Sequence, residues 1–185
     1  MSDAVIGSRG AAAVASRMRR AALLETALYE EVEADRGATR QAFGVVAIAA
    51  VAAGIGSFHT AGPSGFAVIA LAALVGWHVW AWTTWWIGTR WLPGPHTLAD
   101  PFELLRTLGF SSSPGVLLAL GLYEPLAGPV FLVCGLWMLV GMVVAVRQAL
   151  DYTSTLRAIA VCALGFAVYA LTLAVALLFV GPWPV

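Results

Sequence analysis

Residues 41–89 read QAFGVVAIAAVAAGIGSFHTAGPSGFAVIALAALVGWHVWAWTTWWIGT and hold no Asp, Glu, Lys or Arg across 49 positions. One helical crossing of a bilayer takes about 20 apolar residues, so this stretch is long enough to cross twice. Residues 58–65, FHTAGPSG, mark the break, because Gly and Pro punctuate the run there as they do in turns. The first span is placed at 41–57 and the second at 65–88. The rest of the chain agrees: 61% of its 185 residues are hydrophobic and 11% are charged. Soluble domains are nearer half apolar and a quarter charged, since their outsides must be polar. The expected fold class is therefore all-α, a polytopic transmembrane helical bundle.

Toward the carboxyl end, residues 90–106 are polar and contain Pro93, Pro95 and Pro101; residues 107–146 then carry a single charge, Glu124. Pro125 and Pro129 divide that run into a third span at about 110–124 and a fourth at 128–146. The third has an apolar core of roughly half the length that a crossing needs at about 1.5 Å per residue. A full crossing and a re-entrant segment packed against protein both stay open there. Residues 158–180 form a fifth span, so the transmembrane domain covers 41–185 and a polar segment covers 1–40.

All ten basic residues are Arg. With the amino terminus in the cytoplasm and five crossings, every one of them lies inside, while His59, Glu124-Pro125 and the tail 181–185 lie on the other side. That is the asymmetry the positive-inside rule describes. Four crossings would put Arg147 and Arg157 outside. The exclusive use of Arg reads as GC-rich coding DNA and a bacterial source, which makes the expected location the bacterial cytoplasmic (inner) membrane. Ten acidic residues cancel the ten basic ones, so no nucleic-acid partner is implied. Residues after Met1 lack the compact apolar region of a cleavable signal peptide. Cys134 and Cys162 lie in apolar runs without metal-ligand spacing and read as buried small hydrophobes. Small residues such as those of 49–56, AAVAAGIG, permit close helix packing or self-association.

Residues 11–35 have helix-forming composition without Pro or Gly. Val14, Met18, Ala21, Leu24, Leu28 and Val32 recur at helical steps, which predicts one amphipathic helix. Two placements stay open. The helix lies on the inner leaflet with Arg17, Arg19 and Arg20 at anionic headgroups and its acids in water, or it folds back on the cytoplasmic ends of the spans. Glu25, Glu30, Glu31, Glu33 and Asp35 read as its solvated face in preference to a divalent-metal site.

Three stretches together resemble one family. They are PFELLRTLGFSSSPGVLL (101–118), LYEEVEADR (28–36), and the region from Trp137 through Arg147 to Arg157 and Ile159. In the first, Arg106, Gly109 and Phe110 form an Arg-x-x-Gly-aromatic pattern that leads through Pro114 into the third span. Their order resembles the bacterial branch of the YIP (Ypt-interacting protein) family, from about Leu24 to the end. The resemblance implies a five-helix membrane domain with a cytoplasmic amino terminus. Eukaryotic members are associated with Rab-type GTPases and vesicle traffic, but the Asp-Leu-Tyr-Gly-Pro type of motif found there is absent here.

Individual residues suggest further chemistry. His78 sits mid-span among indoles, where an imidazole is able to ligate a haem or chlorophyll-type pigment; the alternative is a neutral His bonded to another helix. No second His lies at its depth. Trp85, Trp86, Trp91 and Trp183 fall at the expected interfaces, whereas Trp77, Trp80 and Trp82 are deeper and read as packing. Glu124, beside Pro125, is either a hydrated turn residue or part of an ion path. Arg147 and Asp151 are four apart and pair if the helix continues, and Arg157 follows them as a further positive-inside anchor. Ser111-Ser112-Ser113 before Pro114 suggests a helix start. No nucleophile-elbow, Walker, zincin or dinucleotide motif is present.

The function expected is that of a non-enzymatic scaffold working through the bilayer, other membrane proteins or self-association, without a cofactor. A pigment-associated subunit using His78 and a small transporter subunit using Glu124 are the alternatives.

Overall fold

The structure, a computed structural model, describes the backbone of residues 2–180 and the side chains of residues 10–168. Met1, the side chain of Arg9 and the tail 181–185 with Trp183, to which the sequence assigns sides of the membrane or processing, lie outside what is described. The elements are α1 (Ser2–Ala22), α2 (Thr26–Ala34), α3 (Ala38–Gly56), α4 (Phe58–Trp86), a π turn (Ile87–Trp91), α5 (Pro101–Ser111), a 3₁₀ helix (Ser113–Leu122), α6 (Glu124–Ala149) and α7 (Thr155–Val180). The fold is an all-α multi-pass membrane bundle. Three helical stretches are long and apolar enough to cross a membrane: Ala38–Gly56, Phe58–Trp91 and Glu124–Ala149. Ser113–Leu122 and Thr155–Val168 are shorter apolar helices among the described residues.

The break expected at 58–65 is a kink inside α4. Gly62 has φ 63° and ψ −170°, a conformation open to Gly at little cost, and Pro63 follows it. α5 starts with a capping box that the sequence spells as Asp-Pro-x-Glu. The Asp100 side chain accepts from Phe102 N at 2.6 Å, and Glu103 accepts from Asp100 N at 2.8 Å.

The third apolar segment takes a form that hydropathy does not reveal. α5 and the 3₁₀ helix run together along α3, in the same direction. A Cβ added to Gly109 would lie 2.7 Å from Ala42 Cβ, one on Gly115 2.8 Å from Ala49 Cβ, and one on Gly121 3.0 Å from Gly56 O. Six residues in a 3₁₀ helix make two full turns and rise about 12 Å. Seven residues of α3 make about two turns and rise about 10.5 Å, so the two rows stay in step. Gly115, Leu118 and Gly121 are accordingly buried while Val116, Leu117 and Leu120 are exposed. An α-helix would turn Gly121 about 240° from Gly115 and break the match. Ten 3₁₀ residues add about 20 Å of rise to the roughly 16 Å of α5, more than ten α-helical residues supply.

The amphipathic run at 11–35 is two helices, not one. Leu24 has φ 59°, and Glu25 N closes on Arg20 O at 3.1 Å, a six-to-one hydrogen bond that ends α1. α6 ends in the same way, with Asp151 at φ 50° and Tyr152 N on Arg147 O at 2.9 Å. Each non-Gly residue held there costs about 1–2 kcal/mol, which the packing of the following segment must offset. The helix therefore does not continue through Asp151, and the pairing with Arg147 expected from their spacing does not form. Arg147 Nε instead donates to Tyr152 O at 3.3 Å.

Candidate functional site

The polar groups gather at one end of the bundle, where α3, α5 and α7 begin and α4 and α6 end. α1 and α2 fold back on this end as a clamp. Leu28, Tyr29 and Val32 are fully buried on α2, packed with the core that includes Leu104, Leu108, Ala145 and Val146. Arg17 and Arg20 of α1 are paired with the acids of α2 and its flanks, where the leaflet placement had them at headgroups, while Arg19 stays exposed. Arg17 meets Glu31 at 2.8 Å and Asp35 at 3.0 Å, and Arg20 meets Glu25 at 2.9 Å and Glu31 at 2.6 Å. Hydrogen bonds from Arg20 and Arg17 hold the Glu31 carboxyl below the usual carboxylate range, and Arg17 does the same for Asp35. Such partly exposed pairs orient the two helices more than they stabilise them.

Side chains from the bundle and from α2 itself capture the free carbonyls at the carboxyl ends of the clamp helices. Tyr29 Oη donates to Ala21 O at 3.3 Å and Trp137 Nε1 to Ala22 O at 2.8 Å. Arg106, 4% exposed, donates through Nε to Val32 O at 2.9 Å and to Glu33 O at 3.1 Å, and through Nη2 to Glu33 O as well. Carbonyls at a helix carboxyl end carry partial negative charge, so they accommodate a buried guanidinium that has no carboxylate partner among the described residues.

Beside this contact lies a 250 Å³ depression lined by Glu30, Glu33, Glu103, Asp151 and Gln148 with Ala34. Burial first, then repulsion from Glu103 and Asp151, pushes the Glu33 carboxyl up to about 7, against the attraction of Arg106. Gln148 Nε2 donates to Glu30 at 2.9 Å. Among the described residues no group of three or more His, Cys, Asp or Glu is arranged to hold a metal ion.

A second seam joins the connections between spans. Tyr152 Oη lies 2.7 Å from Leu92 O and 3.0 Å from Gly88 O and shares its one proton between the two carbonyls, pinning both ends of the π turn. Thr97 Oγ1 donates to Leu150 O at 2.7 Å, and Trp85 Nε1 to Ala99 O at 2.9 Å. Arg157 donates to Pro93 O at 3.3 Å and lies over the Tyr152 ring. Burial raises the Tyr152 phenol above its ordinary range, so it stays a donor at neutral pH.

Of the residues singled out in the sequence, Arg106, Gly109, Phe110, Arg147, Asp151 and Arg157 lie at this polar end. Phe110 is fully buried beside the Gly109–Ala42 contact. Pro114 is a first-turn residue of the 3₁₀ helix. Glu124 and Pro125 stand at the opposite end in the first turn of α6, where Glu124 is exposed and complements the helix dipole. His78 is exposed on the outer side of α4; its Nδ1 lies 3.0 Å from Leu74 O and its ring meets Trp77 edge-on. Trp82, expected in the packing, is instead 47% exposed. Cys134 and Cys162 are buried, as their settings suggested. Tyr29, Trp137, Glu33 and Tyr152 were missed as contact residues. Each carries a polar tip, but nothing in its sequence setting tells which backbone group that tip will meet.

A search of the curated proteins finds no match, and neither does a search of the solved structures. The Yip1 domain family does match, over residues 26–177. That range takes in α2, every apolar segment, Arg106 and the Tyr152 seam, and its extent agrees with the resemblance read from about Leu24 onward. This chain belongs to the Yip1 domain family.

Proposed function

We propose that this protein is a non-enzymatic scaffold of the bacterial cytoplasmic membrane that crosses the bilayer five times and presents its clamped polar end to partners in the cytoplasm. The observation that carries the reading is the clamp itself. Two amphipathic helices are held on the bundle through backbone carbonyls by Arg106 and Trp137, and the chemistry there is docking chemistry. Family membership and the lack of a catalytic or metal-holding constellation among the described residues are consistent with it.

Several features support five crossings. The 3₁₀ geometry lengthens the third segment, and its parallel course along α3 gives it the direction a third crossing needs. Arg106, Arg147 and Arg157, like Arg17 and Arg20, make their contacts at one end, in line with a cytoplasmic amino terminus. Affinity capture of the full chain from native membranes in mild detergent tests the function. Co-purifying membrane partners or self-association is expected; a strictly monomeric protein without any partner overturns the scaffold reading.

A further inference from the structure

Midway along the bundle, α4 and α6 stand apart, and a cavity of about 510 Å³ lies between them over α3 and the 3₁₀ helix. Its floor is buried: Ala50, Trp77, Leu108 and Leu118 are each less than a tenth exposed. Its rim is not: Leu139 is 45% and Phe166 59% exposed. The cavity therefore opens sideways, along faces of α4 and α6 whose exposed Val75, Val79, Leu136 and Val140 are suited to hydrocarbon and not to water.

We infer that this cavity holds one acyl chain of a bilayer phospholipid. Polar ligands and ordered water are disfavoured, because water needs two to four polar partners. Two polar groups of the wall are already engaged: Trp77 Nε1 donates to Leu105 O at 3.2 Å and Ser112 Oγ to Leu108 O at 3.4 Å. Size then separates the apolar candidates. A cavity of about 150 Å³ holds a six-carbon ring, so this one holds on the order of twenty carbons, the scale of one acyl chain. A transmembrane helix about 10 Å across fills that space within roughly one turn, so neither a partner's span nor a second copy enters it. Met138 and Met142 on α6 supply unbranched, adaptable walls able to follow a flexible chain. This inference rests on the membrane fold and not on the scaffold reading.

The test uses the full chain in phospholipid vesicles doped with a phospholipid bearing a diazirine partway along one acyl chain. A parallel set of vesicles carries the same diazirine on a free fatty acid. After illumination, adducts are mapped by peptide mass spectrometry. Labelling of Trp77 and Met138 above that of outward-facing Val79 and Leu132 is expected. Gly76 and Gly135 border the cavity, and a Cβ on either would meet nothing within 4 Å, so Gly76→Leu with Gly135→Leu is chosen to narrow the space from two sides. The double variant is expected to keep its melting temperature and to lose about tenfold in labelling of Trp77 and Met138, with Val79 and Leu132 unchanged. If it fails to fold, Gly76→Ala and Gly135→Ala carry the same comparison with a smaller loss. Cavity labelling no greater than surface labelling overturns the inference, as does labelling that persists in the filled variants. Labelling by the free fatty acid alone overturns it equally.

Discussion

Arg106 on α5 donates through Nε to the carbonyl of Val32 on α2 at 2.9 Å, across 74 residues of sequence. A buried cation thus ends one helix and fastens it to another. Truncation leaves the Val32 and Glu33 carbonyls without their donor. Hydrogen bonds to a charged group contribute about 1.5–3 kcal/mol each, and Arg106→Met is expected to destabilise by at least that much. Arg106→Lys is expected to recover only part, because a single ammonium does not reproduce the guanidinium fork. Unfolding of purified protein in detergent, with limited proteolysis of the segment before α3, measures both; unchanged protection of α2 in Arg106→Met removes the clamp.

The contact between Gly56 and the 3₁₀ helix has no slack. A Cβ on Gly56 would lie 2.0 Å from Leu118 O, which is backbone and has nowhere to turn. Gly56→Ala is expected to cost about 1–3 kcal/mol or to abolish folding. Gly44 is also in α3, but a Cβ there meets nothing within 4 Å. Gly44→Ala should therefore be neutral or gain up to about 1 kcal/mol from helix propensity. Expression level and thermal unfolding in detergent, compared between the two variants, check this pair.

Glu33 gives the clamp a pH dependence of known sign. Its carboxyl titrates at about 7 in the folded chain against 4.5 for an ordinary Glu. The folded state therefore holds the proton more tightly, and the stability this supplies is fully present below about 4.5 and lost as pH rises through about 7. Glu31 and Asp35 act oppositely, since the stability from their depressed carboxyls is present above the ordinary carboxylate range and is lost as pH falls below it through their lowered pKa. Glu33→Gln is expected to raise stability at pH 8 and to flatten the slope between pH 5 and 7.5, relative to the parent. A slope identical in parent and variant contradicts the assignment.

Tyr152 holds the π turn by its hydroxyl alone. Tyr152→Phe keeps the ring under Arg157 and removes the shared hydrogen bond, at a cost of about 0.5–1.5 kcal/mol. Faster amide exchange over residues 86–93 is expected, with exchange in α3 unaffected. Hydrogen–deuterium exchange of the protein in detergent reads this directly.

Much of the membrane domain was legible because its signals are local. The charge-free run 41–89 and the break at Gly62-Pro63 are such signals, and the kink appears in the structure inside the segment where the sequence put a break. The third apolar segment was legible only in part. Its length looked short because an α-helical rise was assumed, although the spacing of Gly115, Leu118 and Gly121 at steps of three already carried the 3₁₀ period. The destination of Arg106 was not legible, since a cation next to apolar residues says only that it needs partners. Nor was the break at Leu24, because the stripe of apolar residues crosses it without interruption.

The sequence by itself determined that this chain is a set of membrane helices with guanidinium groups clustered between them. Transfer of side chains between water and hydrocarbon is nearly additive along the chain, and neighbours far away scarcely alter it. Tertiary structure alone decided that residues 113–122 wind as a 3₁₀ helix, that the amino-terminal helix folds in two, and that Arg106 grips the end of α2. Those outcomes depend on two surfaces distant in sequence meeting at van der Waals distance, and neither surface specifies the other until both are in place.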